Sequence, residues 1–185
     1  MGRIRDLLPA KLVIVVLKSE ELNILFKIKQ KLEGIFGEID FTSESLPFDI
    51  YTYYYNKEMG NNIKATIISF KHLIHISELP YIKRITNSLE MDFSVNGKRK
   101  VNLDPGYFYG AQFVLATTKP REFRAYLKLG IWSEPVYFYS NKTLHPFSTT
   151  YPNYKSAEYI KIFENLRNLY LNDAKKFRGD DLDEK

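Results

Sequence analysis

Lys11 to Leu17 reads Lys-Leu-Val-Ile-Val-Val-Leu, six aliphatic residues in a row behind one lysine. Side chains along a strand alternate between the two faces of its sheet. An unbroken aliphatic run has no face to give to water, so it must lie inside a sheet covered on both sides. The run is too short to cross a bilayer. A polar helix follows it rather than a small-residue cleavage site. No signal peptide or membrane partner is therefore expected, and the cytoplasm is the expected location.

The flanking segments supply the layers such a strand needs. Ser19 can cap a helix with Glu20 and Glu21 in its first turn, where acids suit the positive helix end. Leu22, Leu25, Ile28, Leu32 and Ile35 then recur at helical spacing, and Gly37 can close the helix. Strands are expected at Ile39–Ser45 and Lys64–Phe70. A second helix begins at Ser77-Glu78-Leu79-Pro80, with Leu79, Ile82, Ile85 and Leu89 as its buried stripe. Asn96-Gly97 signals a turn and Arg99–Leu103 a fourth strand.

The order is β-α-β-β-α-β, which predicts an α+β fold with a ferredoxin-like core. Tyr107–Thr117 fits either helix or strand. Arg124–Leu129 and Pro135–Ser140 read as further strands. Ser156 caps a last helix with Tyr159, Ile162, Phe163, Leu166, Leu169 and Tyr170 facing inward. One domain over residues 1–172 is expected, followed by a charged, flexible tail from Asp173 to Lys185.

Several chemistries are excluded. The 185 residues include no cysteine, so there are no disulfides, thiolate zinc sites, iron–sulfur clusters or cysteine nucleophiles. His72, His75 and His145 are scattered. No Gly-x-Ser-x-Gly elbow is present. No Gly-x-x-x-x-Gly-Lys-Ser/Thr loop or Rossmann glycine loop occurs either, and the first strand runs into Lys18-Ser19-Glu20-Glu21, whose acids repel phosphate. Turnover of GTP is not expected.

Positive charge is concentrated. Lys98 to Lys128 holds seven basic residues against Asp104 and Glu122, a balance of +5 equal to the formal net charge of the whole chain. Cationic charge beside backbone turns suits an anion. Asp104-Pro105-Gly106 is expected as a type II turn that closes the fourth strand and projects Asn102 and Asp104. Thr117-Thr118-Lys119 offers two hydroxyls and an ammonium. Arg99 and Arg124 are the favoured anion ligands, because a guanidinium grips an oxyanion with two donors. Arg124 and Lys128, four apart, should share one strand face. Glu44, Asp49, Glu58 and Glu134 are candidate acids, and Tyr54, Tyr107 and Tyr151 candidate aromatic walls.

Three polar blocks stand in order along the chain. The first runs from Pro47-Phe48-Asp49 through Tyr54-Tyr55 to Glu58-Met59-Gly60. The second runs from Val101-Asn102-Leu103-Asp104-Pro105-Gly106-Tyr107 to Leu115-Ala116-Thr117-Thr118-Lys119, and the third is Thr150-Tyr151-Pro152-Asn153-Tyr154. Together, from Lys11 to about Tyr170, they resemble a prokaryotic family of unknown function, domain of unknown function number 4416. Some of its members are labelled GTP-binding protein. Asn153 stands where that family more often has Asp, and Phe123-Arg124 where a His-Arg pair is common. The resemblance supplies motif positions rather than a mechanism.

The resulting expectation is a small-molecule binding protein or enzyme for an anionic, nucleotide-like or phosphorylated ligand, with or without a divalent metal ion. Its expected ligand residues are Arg99, Asn102, Asp104, Tyr107, Lys119, Arg124, Tyr151 and Tyr154. The alternatives are an RNA-binding module, since exposed aromatics beside basic residues stack bases, and a structural or interaction domain without catalysis.

Overall fold

A computed structural model describes residues 7–19 and 24–177. The chain order is β1 (Ala10–Lys18), α1 (Ile24–Phe36), β2 (Ile39–Thr42), β3 (Leu46–Pro47), α2 (Asn56–Met59), β4 (Lys64–Ile74) and α3 (Leu79–Asp92). Next come β5 (Ser94–Val95), β6 (Lys98–Arg99), β7 (Val101–Tyr109), β8 (Gln112–Thr117), β9 (Ala125–Lys128), β10 (Ile131–Ser140), β11 (Thr143–Pro146) and α4 (Ala157–Ala174). The fold is α+β.

β1 pairs with β4 on one side and β7 on the other, both antiparallel. The full sheet runs β11-β10-β8-β7-β1-β4-β2, with β3 on β4 and β9 on β10. The aliphatic run thus forms an interior strand. Leu12, Ile14 and Val16 pack with Ile24, Ile28 and Leu32 of α1 and with Leu79, Ile82 and Leu89 of α3. Val13, Val15 and Leu17 face the other way, into a core with Tyr159, Phe163, Leu166 and Tyr170 of α4. Each such aliphatic side chain, fully buried, contributes about 1.5–3 kcal/mol. Lys11 breaks the apolar pattern. It is completely buried, and its ammonium donates to Asp40 (2.5 Å), Asp173 (2.8 Å) and the Phe70 carbonyl (3.1 Å).

Several expectations need correction. Asp104-Pro105-Gly106 makes no turn: β7 continues straight through it to Tyr109. Register with β1 explains the difference, since Asp104, Pro105 and Gly106 pair with Val15, Ile14 and Val13. Gly106 is there for closeness, not for a bend. A Cβ on it would meet the Val114 carbonyl oxygen at 2.5 Å and the Phe113 ring at 2.9 Å. Tyr107–Thr117 resolves into the end of β7, a reversal at Gly110 and β8. Ile35 and Ile85 are exposed. The buried stripe of α3 is rotated from the expected one and includes Lys83, Thr86 and Glu90.

The last helix continues past residue 172 to Ala174, which is fully buried, and Asp173 is held by Lys11. Residues 1–6, the cap acids Glu20 and Glu21, Leu22, and the tail from Arg178 onward lie outside the described residues. No described helix is long and apolar enough to cross a membrane.

Candidate functional site

β7 and β8 pair from Tyr109↔Gln112 back to Gly106↔Leu115 and then part. β7 stays with β1 as far as Val101↔Lys18, while β8 follows β10, where Ala116 and Thr117 pair Ser133 and Trp132. Pro105, which has no N–H to offer, lies one residue past the last β7–β8 pair. Beyond it the backbone of β7 loses a strand partner on that side, and buried polar groups need replacements. Helix α3 supplies them. Leu103 N donates to Glu90 Oε1 (2.7 Å), and the Leu103 carbonyl accepts from Lys83 Nζ (2.8 Å).

The fork opens a cavity of about 630 Å³. Asn102 and Asp104 line it from β7, Lys83, Asn87 and Glu90 from α3, and Thr117, Thr118 and Lys119 from the end of β8. Tyr51, Tyr54 and Tyr55 close it from the segment before α2, and Tyr151, Asn153 and Tyr154 from the segment before α4.

Its charges are interlocked. Lys83 donates to Asp104 Oδ1 (3.0 Å), and Asn102 donates to Asp104 Oδ2 (2.7 Å). The Asn102 side-chain Oδ1 accepts from Arg99 (3.3 Å). Arg99 grips Glu58 with two donors (2.6 and 2.8 Å) and gives a third bond to Glu90 (2.6 Å). These hydrogen bonds hold the Glu58 carboxyl below its ordinary pKa. Burial instead raises Glu90, outweighing Lys83, the Leu103 N–H and Arg99. Burial also raises the Tyr55 phenol, with the nearby Asp104 charge adding to it.

The rim differs. Lys119 donates to the Tyr54 hydroxyl (3.1 Å) and lies 4.4 Å from that ring's centre. Its hydrogen bond, then its charge, lowers the Tyr54 pKa. Neither Lys119 nor the exposed Arg121, which also lines the cavity, pairs with a carboxylate among the described residues.

Residues 8–170 match the family described as Domain of unknown function (DUF4416). The chain belongs to that family. No curated protein and no solved structure matches it. In this DUF4416 chain, the three polar blocks come together at one cavity: Tyr54 and Tyr55 from the first, Asn102, Asp104 and Thr117 to Lys119 from the second, and Tyr151 to Tyr154 from the third.

Of the expected ligand residues, Arg99, Asn102, Asp104, Lys119, Tyr151 and Tyr154 line the cavity. Tyr107 does not. It pairs with Leu12 and packs in the α1–α3 core, because alternation along β7 sends it to the face opposite Asn102 and Asp104. Arg124 does not line it either. Its guanidinium donates to Glu134 (2.7 Å), the Lys119 carbonyl (2.7 Å) and the Tyr151 hydroxyl (3.4 Å). It lines a neighbouring cleft of about 830 Å³ together with Phe123, Pro135 and Phe147.

Lys128 is separated from Arg124 and lies 4.1 Å over the Tyr81 ring, since a bulge between Ile131 and Trp132 interrupts the pairing with β9. Neither favoured arginine is thus an open anion ligand. Arg99 is taken by Glu58 and Glu90, and Arg124 by Glu134.

The other candidate acids close loops or stand apart. Asp49 accepts from Ile63 N (2.9 Å), and Glu44 is exposed. His75 caps a short 3-10 turn, and His145 stacks on Phe138. Among the described residues no three His, Asp or Glu are grouped to hold a metal ion. Both Asp104 oxygens already accept from nitrogen donors.

Sequence reasoning missed Lys83 and Glu90. The available signal was a lysine and a glutamate seven apart, a spacing that returns to the same side of a helix after two turns, next to the apolar positions Leu79, Ile82 and Leu89.

Proposed function

We propose that the cavity at the β7–β8 fork binds a small organic anion, nucleotide-like or phosphorylated. The observation that carries this reading is the rim. Lys119 and Arg121 bring two positive charges without carboxylate partners among the described residues, beside the Thr117 and Thr118 hydroxyls. A charged oxygen placed there would gain charge-assisted bonds. The two arginines would act behind the site, keeping its walls in place. Lys83 spends two of its three donors on Leu103 and Asp104, and a third is available on the cavity side. Asp104, oriented by Lys83 and Asn102 and partly open to the cavity, is the group suited to accept a proton or orient a ligand hydroxyl. A divalent ion would have to arrive with the ligand, because among the described residues no group of acids stands with Asp104 to hold one.

We read the β7-β1-β4-β2 core, with α1 and α3 as its crossovers, as ferredoxin-like, and the protein as a cytoplasmic one. RNA binding has less support. Ferredoxin-like RNA binders stack bases on an open sheet face, and here helices cover both faces.

Calorimetric titration with inorganic phosphate, ribose 5-phosphate and nucleoside monophosphates tests the proposal, with Lys119→Met as the probe of the rim. Binding of one or more of these anions should weaken in Lys119→Met, and should fall with salt less steeply than RNA binding, which releases many counterions. Binding that is absent for every anion, or that persists unchanged in Lys119→Met, removes the rim from the reading.

A further inference from the structure

The floor of the same cavity carries polar groups of a different kind. Asn153 is 4% exposed and still lines the cavity. Its carboxamide lies beside the Tyr159 hydroxyl and partly opposes the burial that raises that phenol. The hydroxyl itself is buried without a hydrogen bond of ordinary geometry. Asn87, half-buried on α3, is a second carboxamide on the cavity wall that makes no side-chain hydrogen bond among the described residues.

Buried polar groups without good partners are costly, and native proteins keep few of them. The backbone does not explain why Asn153 is held here. Its carbonyl closes the turn to Ser156 N, a role any residue could fill. Beside its loose contact with the Tyr159 hydroxyl, the carboxamide still offers a donor and an acceptor in one plane.

Resting on the anion reading of the rim, we infer that this cavity takes an anion whose other end is a planar amide-type group, such as a nucleobase or carboxamide, read by Asn153. The cavity's shape supports the two-ended form. Lys119 and Arg121, without carboxylate partners among the described residues, share the exposed side of the cavity with the rings of Tyr54 and Tyr151, half-buried Tyr55 lines it further in, and the neutral Asn153 is buried. Rings lining the same space suit a flat heterocycle. A site built to hydrogen-bond a ligand group rejects analogues that lack it, because its own buried groups are then left unpaired.

The test compares adenosine, guanosine, cytidine and uridine 5′-monophosphates with ribose 5-phosphate on the full chain by calorimetry. At least one nucleoside monophosphate should bind about ten-fold or more tighter than ribose 5-phosphate, the effect of roughly one well-made hydrogen bond. Asn153→Leu, which keeps the branched shape and removes the amide, should erase that preference while ribose 5-phosphate still binds. If the leucine variant does not fold, Asn153→Asp serves in its place, since an acid cannot present the amide's donor and the preference should change or vanish. The inference is overturned if no base-bearing compound is preferred, or if the preference survives loss of the amide. Ribose 5-phosphate binding without base preference would sink this inference and leave the rim intact. Silence towards every phosphate would sink both.

Discussion

Lys11 and Lys83 are both buried lysines held by carboxylates, and they lie towards opposite ends of β1. Lys11 is fully enclosed and spends all three donors, on Asp40, Asp173 and the Phe70 carbonyl. It ties the start of β1 to β2 and to the end of α4. Lys83 spends two, on Leu103 and Asp104, and borders the cavity. The same chemistry therefore makes a clasp in one place and a wall in the other. What separates them is the fork. At the Lys11 end β7 is paired on both sides, Phe108 with Lys11 and with Phe113. Near Lys83 the strands β7 and β8 have parted, and side chains take over backbone partners. A buried charge with every donor used can only stabilise or strain the fold, whereas one with a donor left beside open space can meet a ligand.

The comparison is broken most directly at Lys11. Lys11→Met keeps the bulk and leaves Asp40 and Asp173 without their cation. A loss of about 3 kcal/mol is expected in urea denaturation at neutral pH, towards the lower end of the cost of breaking a buried pair because both acids are partly exposed. A loss below about 1 kcal/mol would deny the clasp. Asp104→Asn should cost less, about 1–2 kcal/mol in the same measurement, because the amide oxygen can still accept from Lys83 and water can enter from the cavity. Equal losses at the two places would erase the distinction.

A smaller effect separates the two acids on Arg99. Glu58 is held below its ordinary value of 4.5, so its contribution is complete above that value and is lost as pH falls through the folded-state pKa. Glu90 is raised above 4.5, so its contribution is complete below the unfolded value and is lost as pH rises through the folded one. Stability followed from about pH 3 to about pH 7 should therefore change slope in opposite senses. Glu58→Gln flattens the decline on the acid side, and Glu90→Gln flattens the decline above it. Identical slope changes would mean that burial does not distinguish the two carboxyls.

The smallest expected stability change is at the rim. Lys119→Met should stay within about 0.5 kcal/mol of the parent, since among the described residues its ammonium meets just Tyr54, at the surface. A large destabilisation would make Lys119 part of the scaffold rather than of the rim.

Much of the layering was legible from period alone. An unbroken aliphatic run can only be an interior strand, and the stripe Tyr159, Phe163, Leu166, Tyr170 can only be one face of a helix. The polar blocks were legible as marked positions, and they do come to one cavity. Asp104-Pro105-Gly106 was misread because turn chemistry and strand chemistry share those residues. Only the neighbours decide, and here β1 holds the segment straight while β8 comes so close that nothing larger than glycine fits.

The sequence by itself determined the periodic features, the absence of thiol chemistry and the basic stretch from Lys98 to Lys128. The tertiary structure decided which charges are spent and which are free. Arg99 and Arg124 looked like open cations because their partners, Glu58, Glu90 and Glu134, lie nine or more residues away along the chain. Lys83 and Glu90 were not singled out at all, because their role comes from the fork that leaves the Leu103 backbone in need of partners. The physical reason is that burial and pairing are properties of space. A charge's partner is set by how strands part and helices turn, and neither is written at the position that carries the charge.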